Sequence, residues 1–143
     1  MPTIFTHPAV PLAMALGLGR NVVSKRLLLV GVAVSLLPDL DVIGFRLGIP
    51  YAAEFGHRGF SHSLLFAFCV ALAGALFYRR LDSTFHRVLW FLFAAMASHP
   101  LLDAFTNGGL GVALLWPWSE QRFFAPAKVI EVSPFSPSHF LTQ

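Results

Sequence analysis

Charged side chains are scarce in this chain: Asp, Glu, Lys and Arg together make up 12% of 143 residues. Soluble domains carry about 25%. Cysteine is scarcer still. Cys69 stands alone inside an apolar run, which excludes an intrachain disulfide and a thiolate metal site. Strong charge of either sign is also missing: ten Lys/Arg against seven Asp/Glu leave +3, which gives nucleic-acid binding no support. No Lys or Arg occurs between Met1 and Gly19, so the basic start of a secretory signal is lacking and the N-terminus is expected to stay attached.

What fills the chain is hydrocarbon, with 56% apolar and 14% aromatic residues and a mean hydropathy of +0.68. A disordered chain is ruled out. One core of a domain this size cannot hide so many Leu, Phe, Val and Ala side chains from water. The expected solvent is a bilayer, and the length suits a single helical membrane domain over 1–143.

Long uncharged stretches run from Pro8 to Gly19, Leu27 to Pro38, Gly59 to Tyr78 and Val88 to Leu102, broken by no ionisable residue except His62 and His99. They predict an all-α fold: a membrane-embedded bundle of about four hydrophobic helices. The third alone reaches the roughly 20 residues needed to cross the hydrocarbon; the first two read as partial spans or buried helices. After Phe105, Asn107, Gly108 and Gly109 favour helix termination. The tail over 113–143 reads as an irregular aromatic and proline-rich cap, with KVIEV as a short extended segment and Trp116 and Trp118 suited to a membrane interface.

The connections differ in chemistry. Arg20, Lys25 and Arg26 join the first two runs; Arg79, Arg80, Asp82, His86 and Arg87 join the last two. Alternating helices put both basic loops on one side, which the positive-inside bias assigns to the cytoplasm of a bacterial inner membrane. His7, Asp39, Asp41, His57, His62, His99 and Asp103 then gather at the other end. His86, in a basic loop, and His139, in the tail, read as non-ligating.

The spacings suit metal chemistry. His99 and Asp103 are four apart, sharing a helical face within reach of one ion, and Pro100 leaves that relation nearly intact. Alone, the pair reads equally well as a core histidine and a solvated aspartate. In PDLD, Asp39 and Asp41 flank Leu40, so one can face the site while the other holds a ligand; singly, the motif is an ordinary helix boundary. His57 and His62 bracket Arg58, Gly59, Phe60 and Ser61, with Ser61 or its neighbourhood capping the third helix and His62 in its first turn. His7 precedes Pro8, the expected first residue of the first helix, and so takes the N-cap. Neutral imidazoles and carboxylates are what a divalent ion, zinc foremost, takes when thiolates are lacking, and the acids would offset its charge.

The order His7, PDLD, HRGFSHS, HPLLDAFTNGG, LWPWSEQRFF and KVIEVSP resembles the family of inner-membrane-associated metal-dependent hydrolases also labelled LexA-binding (DUF457-like), over nearly the whole chain. That resemblance implies a bacterial inner-membrane protein, a divalent metal, hydrolysis and a protein partner. More remotely, the early His, following Asp, paired His and helical HxxxD are similar to zinc-dependent phospholipase C and the fungal single-strand nucleases. That similarity implies Asp39, His62, His99 and Asp103 around one ion, with His7 and Asp103 contributing to another. Those enzymes use a processed N-terminal amine and two HxxxD blocks; this chain has one.

The expectation is a membrane-bound hydrolase of a phosphoester, lipid-like by preference, with one or two divalent ions. Metal ligands are His7, Asp39, His57, His62, His99 and Asp103. Arg58 and Arg122 clamp the anionic, phospholipid-like substrate, and one of Asp39 and Asp41, here assigned as Asp41, orients a ligand or acts as general base. Arg122 reads alternatively as an interfacial anchor. The competing expectation is a non-catalytic, metal-stabilised membrane adaptor; an ion transporter fits less well, because the polar residues gather at helix ends.

Overall fold

The computed structural model describes residues 6–130. It contains α1 (Ala9–Leu18), α2 (Lys25–Leu36), the short α3 (Ile43–Arg46), α4 (Leu64–Ala75) and α5 (Phe85–Ala104), with 3-10 turns at Leu37–Val42 and Phe60–His62. Among the described residues there is no strand, only isolated bridges between Thr106 and Ile130 and between Val112 and Phe123.

Local chemistry sets the boundaries. Ser24 and Ser63 accept hydrogen bonds from Leu27 N (3.0 Å) and Phe66 N (3.1 Å), satisfying donors left open at the starts of α2 and α4. Gly19, at φ 75°, ends α1 with its N–H on the Ala15 carbonyl, a left-handed cap that costs glycine little. Helix α1 begins at Ala9 with Pro8 as its N-cap residue, so His7, the expected cap, lies one position before the observed one.

Helix lengths differ from the sequence reading. The run Gly59–Tyr78 yields only the 12-residue α4, because Gly59 and the 3-10 turn precede Ser63 and the chain passes into turns after Ala75. The long segment is instead Lys25–Arg46, 22 residues that are apolar and long enough to cross a hydrocarbon core. Pro38 does not stop this path. It sits at the start of a 3-10 turn, where its missing N–H is not required.

Helix α5 is the axis, packing against α4, α2 and α1. Its Val88 and Leu92 meet Leu27 of α2 and Ala71 and Ala75 of α4 in one buried cluster. Close approach demands small residues: a Cβ at Gly31 would strike the Phe91 ring, and one at Gly74 would strike Leu92. The exterior stays apolar, with Leu16 86%, Leu29 70% and Leu76 69% exposed, a surface suited to lipid.

The two basic loops do meet at one end. Arg26 pairs with Asp82 at 3.1 Å, Arg87 donates to the Asn21 carbonyl, and Ser24 donates to the Leu81 carbonyl. The segment after α5 straps the other end without regular structure: Ala113 N bonds Arg58 O, Leu64 N bonds Leu114 O, and Ala125 N bonds Ala104 O. Ile130 of the expected KVIEV strand makes an isolated bridge; Glu131, Val132 and His139 lie outside the described residues.

Candidate metal centre

At the strapped end, Asp39, His62, His99 and Asp103 each present a ligand atom within 4.8 Å of the others, and all four are buried. His7 joins them: its Nε2 lies 3.9 Å from both Asp39 Oδ2 and Asp103 Oδ1, and its ring stacks on His99 at 3.6 Å. Four separate segments thus converge. The turn before α1 brings His7, the 3-10 turn after α2 brings Asp39, the turn before α4 brings His62, and one face of α5 brings His99 and Asp103.

Two of these imidazoles have their tautomers fixed from behind. His99 Nδ1 lies 2.7 Å from the Ser35 carbonyl, which can only accept, so Nδ1 carries the proton and Nε2 presents a lone pair. His62 Nδ1 lies 3.1 Å from Asp41 Oδ2, which likewise leaves Nε2 as the outward lone pair. Both lone pairs point at carboxylates: His99 Nε2 is 3.3 Å from Asp39 Oδ1 and His62 Nε2 is 3.4 Å from Asp103 Oδ2. Acceptor against acceptor is repulsive unless a proton or a metal cation lies between. Two ligand atoms on a tetrahedral ion with bonds of about 2.0–2.1 Å stand about 3.3–3.4 Å apart, so the donor spacing fits such an ion.

Unsatisfied polar atoms concentrate here. Among the described residues ten buried side-chain atoms lack a hydrogen-bond partner, and all except Ser83 Oγ belong to His7, Asp39, Arg58, His62, His99 or Asp103. A buried orphan costs about 1–3 kcal/mol, more when charged, so this concentration calls for a missing partner. Burial, reinforced by the neighbouring His99, pushes the His7 imidazole down to about 4, leaving it neutral and able to ligate near neutral pH.

Asp41 is placed differently. Its Oδ1 meets His57 Nδ1 at 2.5 Å, while Oδ2 accepts from Ser61 Oγ at 2.6 Å and from Arg58 N at 3.1 Å. A carboxylate so fully hydrogen-bonded orients His57 and His62 from the side away from the cage. His57 therefore sits in a neighbouring group with Asp41 and His62, not among the four. The expected cap falls in the neighbourhood of Ser61, at Ser63, while Ser61 itself is drawn to Asp41 and His62 lies in the 3-10 turn before α4 and not in its first turn.

The arginines are also engaged. Arg58 is 1% exposed, with a left-handed backbone at φ 64°. Its Nη1 donates to Thr106 Oγ1 and the Gly108 carbonyl, and its Nε lies 3.2 Å from Asp103 Oδ2. Arg122 donates to the carbonyls of His57, Tyr51 and Ala53, clasping the loop that carries His57 and Arg58. Thr106, which sequence reasoning did not single out, links these parts by donating to the Asp103 carbonyl at 2.7 Å. His86 is exposed at the opposite, basic end.

Comparison with known proteins agrees with this membrane setting. The chain is 50% identical over 143 residues to the inner membrane protein YbcI of Escherichia coli (strain K12), covering 99% of this chain and 83% of that one. It is 38% identical over 109 residues to the inner membrane proteins YdjM of Escherichia coli (strain K12) and Shigella flexneri, covering 66% of this chain and half of theirs. No solved structure matches. The YdjM inner membrane protein family matches residues 1–143, from end to end, and the chain belongs to that family.

Proposed function

We propose that this protein is a metal-dependent hydrolase of the bacterial inner membrane that holds one divalent cation, zinc by preference, and cleaves a phosphoester. The observation that carries the reading is the set of orphaned imidazole nitrogens and carboxylate oxygens converging from four segments. Asp39, His62, His99 and Asp103 would hold the ion, with His7 as a further ligand. Bound there, a divalent ion supplies a Lewis acid for a phosphoryl oxygen and lowers the pKa of water.

The chain's own groups do the rest. Ser35 and Asp41 keep the protons of His99 and His62 on Nδ1, so both Nε2 atoms face inward. Arg58 keeps Asp103 in place and brings a fixed positive charge to the edge of the cage, where it favours charge developing on a phosphoryl group. Arg122 acts at one remove, through the carbonyls of the loop it clasps. In the reaction water provides the oxygen that bonds to phosphorus, the P–O ester bond breaks, and the proton released by the water ends on the leaving alcohol.

One observation favours a second reading, a non-catalytic adaptor whose ion only holds the segments together: all four cage residues are at most 5% exposed, and structural sites are closed. Metal analysis of the purified protein, combined with turnover of bis(p-nitrophenyl) phosphate and a phosphoester panel, separates the two. Stoichiometric metal lost in both Asp103→Ala and His62→Ala, with turnover that needs the metal, supports the hydrolase. Bound metal without turnover on any substrate supports the adaptor, and a wild-type protein that takes up no metal refutes both.

A further inference from the structure

A groove of about 510 Å³ opens beside the cage, between the 3-10 turn Leu37–Val42, α3, the loop after it and the start of α4. Its lining is apolar except at one place, where Asp41 and Ser61 reach it. Those two side chains are the partners of His62 Nδ1, at 3.1 and 3.0 Å. The groove thus ends one side chain from the cage. Its rim is exposed hydrocarbon, with Leu40 56%, Ile43 54%, Leu47 74% and Phe55 55% accessible, and no Lys, Arg or Glu lines it. The volume lies in the range of small-molecule sites, about 300–1,000 Å³.

The depth of this groove in a bilayer follows from helix lengths. At about 1.5 Å per residue, α4 is about 18 Å long and α1 about 15 Å, short of a hydrocarbon core of about 30 Å. If the basic loops sit at one interface, the far ends of α1 and α4 stop within the hydrocarbon, while Leu40 and Ile43 of the groove wall lie at the far end of Lys25–Arg46, the segment long enough to cross it, so the groove runs from the hydrocarbon toward the opposite interface. An aqueous ligand would gain nothing from such a lining. A second apolar groove of about 580 Å³, lined by Met14, Leu18, Trp90 and Phe91, lies toward the basic loops and has neither Asp41 nor Ser61 in its wall.

We infer that the groove beside Asp41 and Ser61 seats the hydrocarbon chain of the substrate, making the substrate class a long-chain lipid phosphoester that reaches the cage from within the bilayer. This rests on the hydrolase reading for the reaction, but the seat itself is a binding site testable without metal. Gly44 offers the means, because a Cβ there meets Ile49 at 3.6 Å and the Phe55 carbonyl at 3.9 Å, both ordinary contacts, so Gly44→Trp fills the groove with little strain on the backbone. Leu47→Lys, at the 74% exposed rim, puts a charge at the mouth without touching the core. Ala94→Trp fills the other groove and serves as control.

Metal-stripped protein in detergent is offered dioleoyl phosphatidylglycerol, and retained lipid is counted by native mass spectrometry. Retention by wild type and Ala94→Trp that drops about tenfold or more in both Gly44→Trp and Leu47→Lys, equivalent to denying burial to about two methylenes, supports the seat. Equal retention in all four proteins, or equal loss in Gly44→Trp and Ala94→Trp, means a lipid coat only and overturns it. With metal restored, the ratio of kcat/KM for dioleoyl phosphatidylglycerol to that for bis(p-nitrophenyl) phosphate is expected to fall about tenfold in Gly44→Trp, by the same denied burial; an unchanged ratio refutes the assignment of the chain to substrate. A protein that retains lipid in the groove yet hydrolyses neither compound refutes the hydrolase reading and leaves the seat standing.

Discussion

Substituting Asp41 by asparagine tests whether this carboxylate orients ligands or is one itself. The change keeps the shape and removes the charge. Asp41 now accepts from four directions: His57 Nδ1 on Oδ1, with Ser61 Oγ, Arg58 N and His62 Nδ1 on Oδ2. An asparagine has one acceptor oxygen and one NH2 group, which only donates. With its oxygen toward His57, its NH2 faces the Arg58 N–H and the Nδ1–H of His62. The relief open to His62 is to move its proton to Nε2, the atom that faces Asp103 at 3.4 Å, and that tautomer cannot bind metal. With its oxygen the other way, His57 loses its acceptor and His62 keeps a weaker, uncharged one. Loss of such an orienting partner weakens metal affinity about 10–100-fold, or about 1.4–2.7 kcal/mol. Competition for Zn2+ against a chromophoric chelator measures this directly, beside Asp39→Asn and Asp103→Asn, for which stoichiometric binding is expected to vanish. An Asp41→Asn protein with wild-type affinity, or one that loses the ion as completely as Asp39→Asn does, refutes the division of roles between the two aspartates.

Two further outcomes follow from the same geometry. Stripping metal with a chelator is expected to lower the thermal midpoint of the detergent-solubilised protein, and adding Zn2+ at about a thousand times its Kd to restore about 4 kcal/mol; differential scanning fluorimetry that registers no shift on either step refutes a metal-linked fold. Impermeant thiol labelling in a Cys69→Ala background checks orientation, with cysteines at Thr84, an exposed residue of the basic end, and at Glu120, an exposed polar residue of the strapped end. Thr84→Cys is expected to be protected in intact cells and labelled after lysis, and labelling from outside reverses the assigned topology.

Much of the site was legible because its logic is local. Two ligands four apart on α5 follow from helical periodicity, and the pairing of Arg26 with Asp82 follows from helix alternation. The division between Asp39 and Asp41 was visible only in outline. In a 3-10 turn successive side chains step by about 120°, so residues two apart diverge, but which of them faces the cage depends on where His57 and Ser61 arrive from 16 and 20 residues away. The capping of α4 has the same character: in SHS both serines qualify, and Asp41 claims one of them. The long span was misplaced for a different reason. Apolar composition reports the surrounding medium, and it cannot separate α4 from the equally apolar turn over residues 76–78 that follows it. The engagement of Arg122 with carbonyls 65 to 71 positions away left no trace in sequence spacing.

Charge bears on what the cage would hold. Asp39 and Asp103 bring two negative charges into a buried site where Arg58 brings one positive charge, and His7 contributes none because it is held neutral. The Asp41 carboxylate, its side chain 4% exposed and its Oδ2 3.1 Å from His62 Nδ1, adds a third negative charge, because hydrogen bonds from neutral donors satisfy its oxygens without removing it. With the imidazoles neutral the sum is minus two, an unfavourable state away from water, and one divalent ion would cancel it. Charge alone does not exclude a second ion, since Asp41, His57 and His62 form another group whose ligand atoms lie within 4.8 Å of one another. In the proposed reading the cation then lies beside an apolar groove, the pairing that a phosphoester head carried on a hydrocarbon tail would meet.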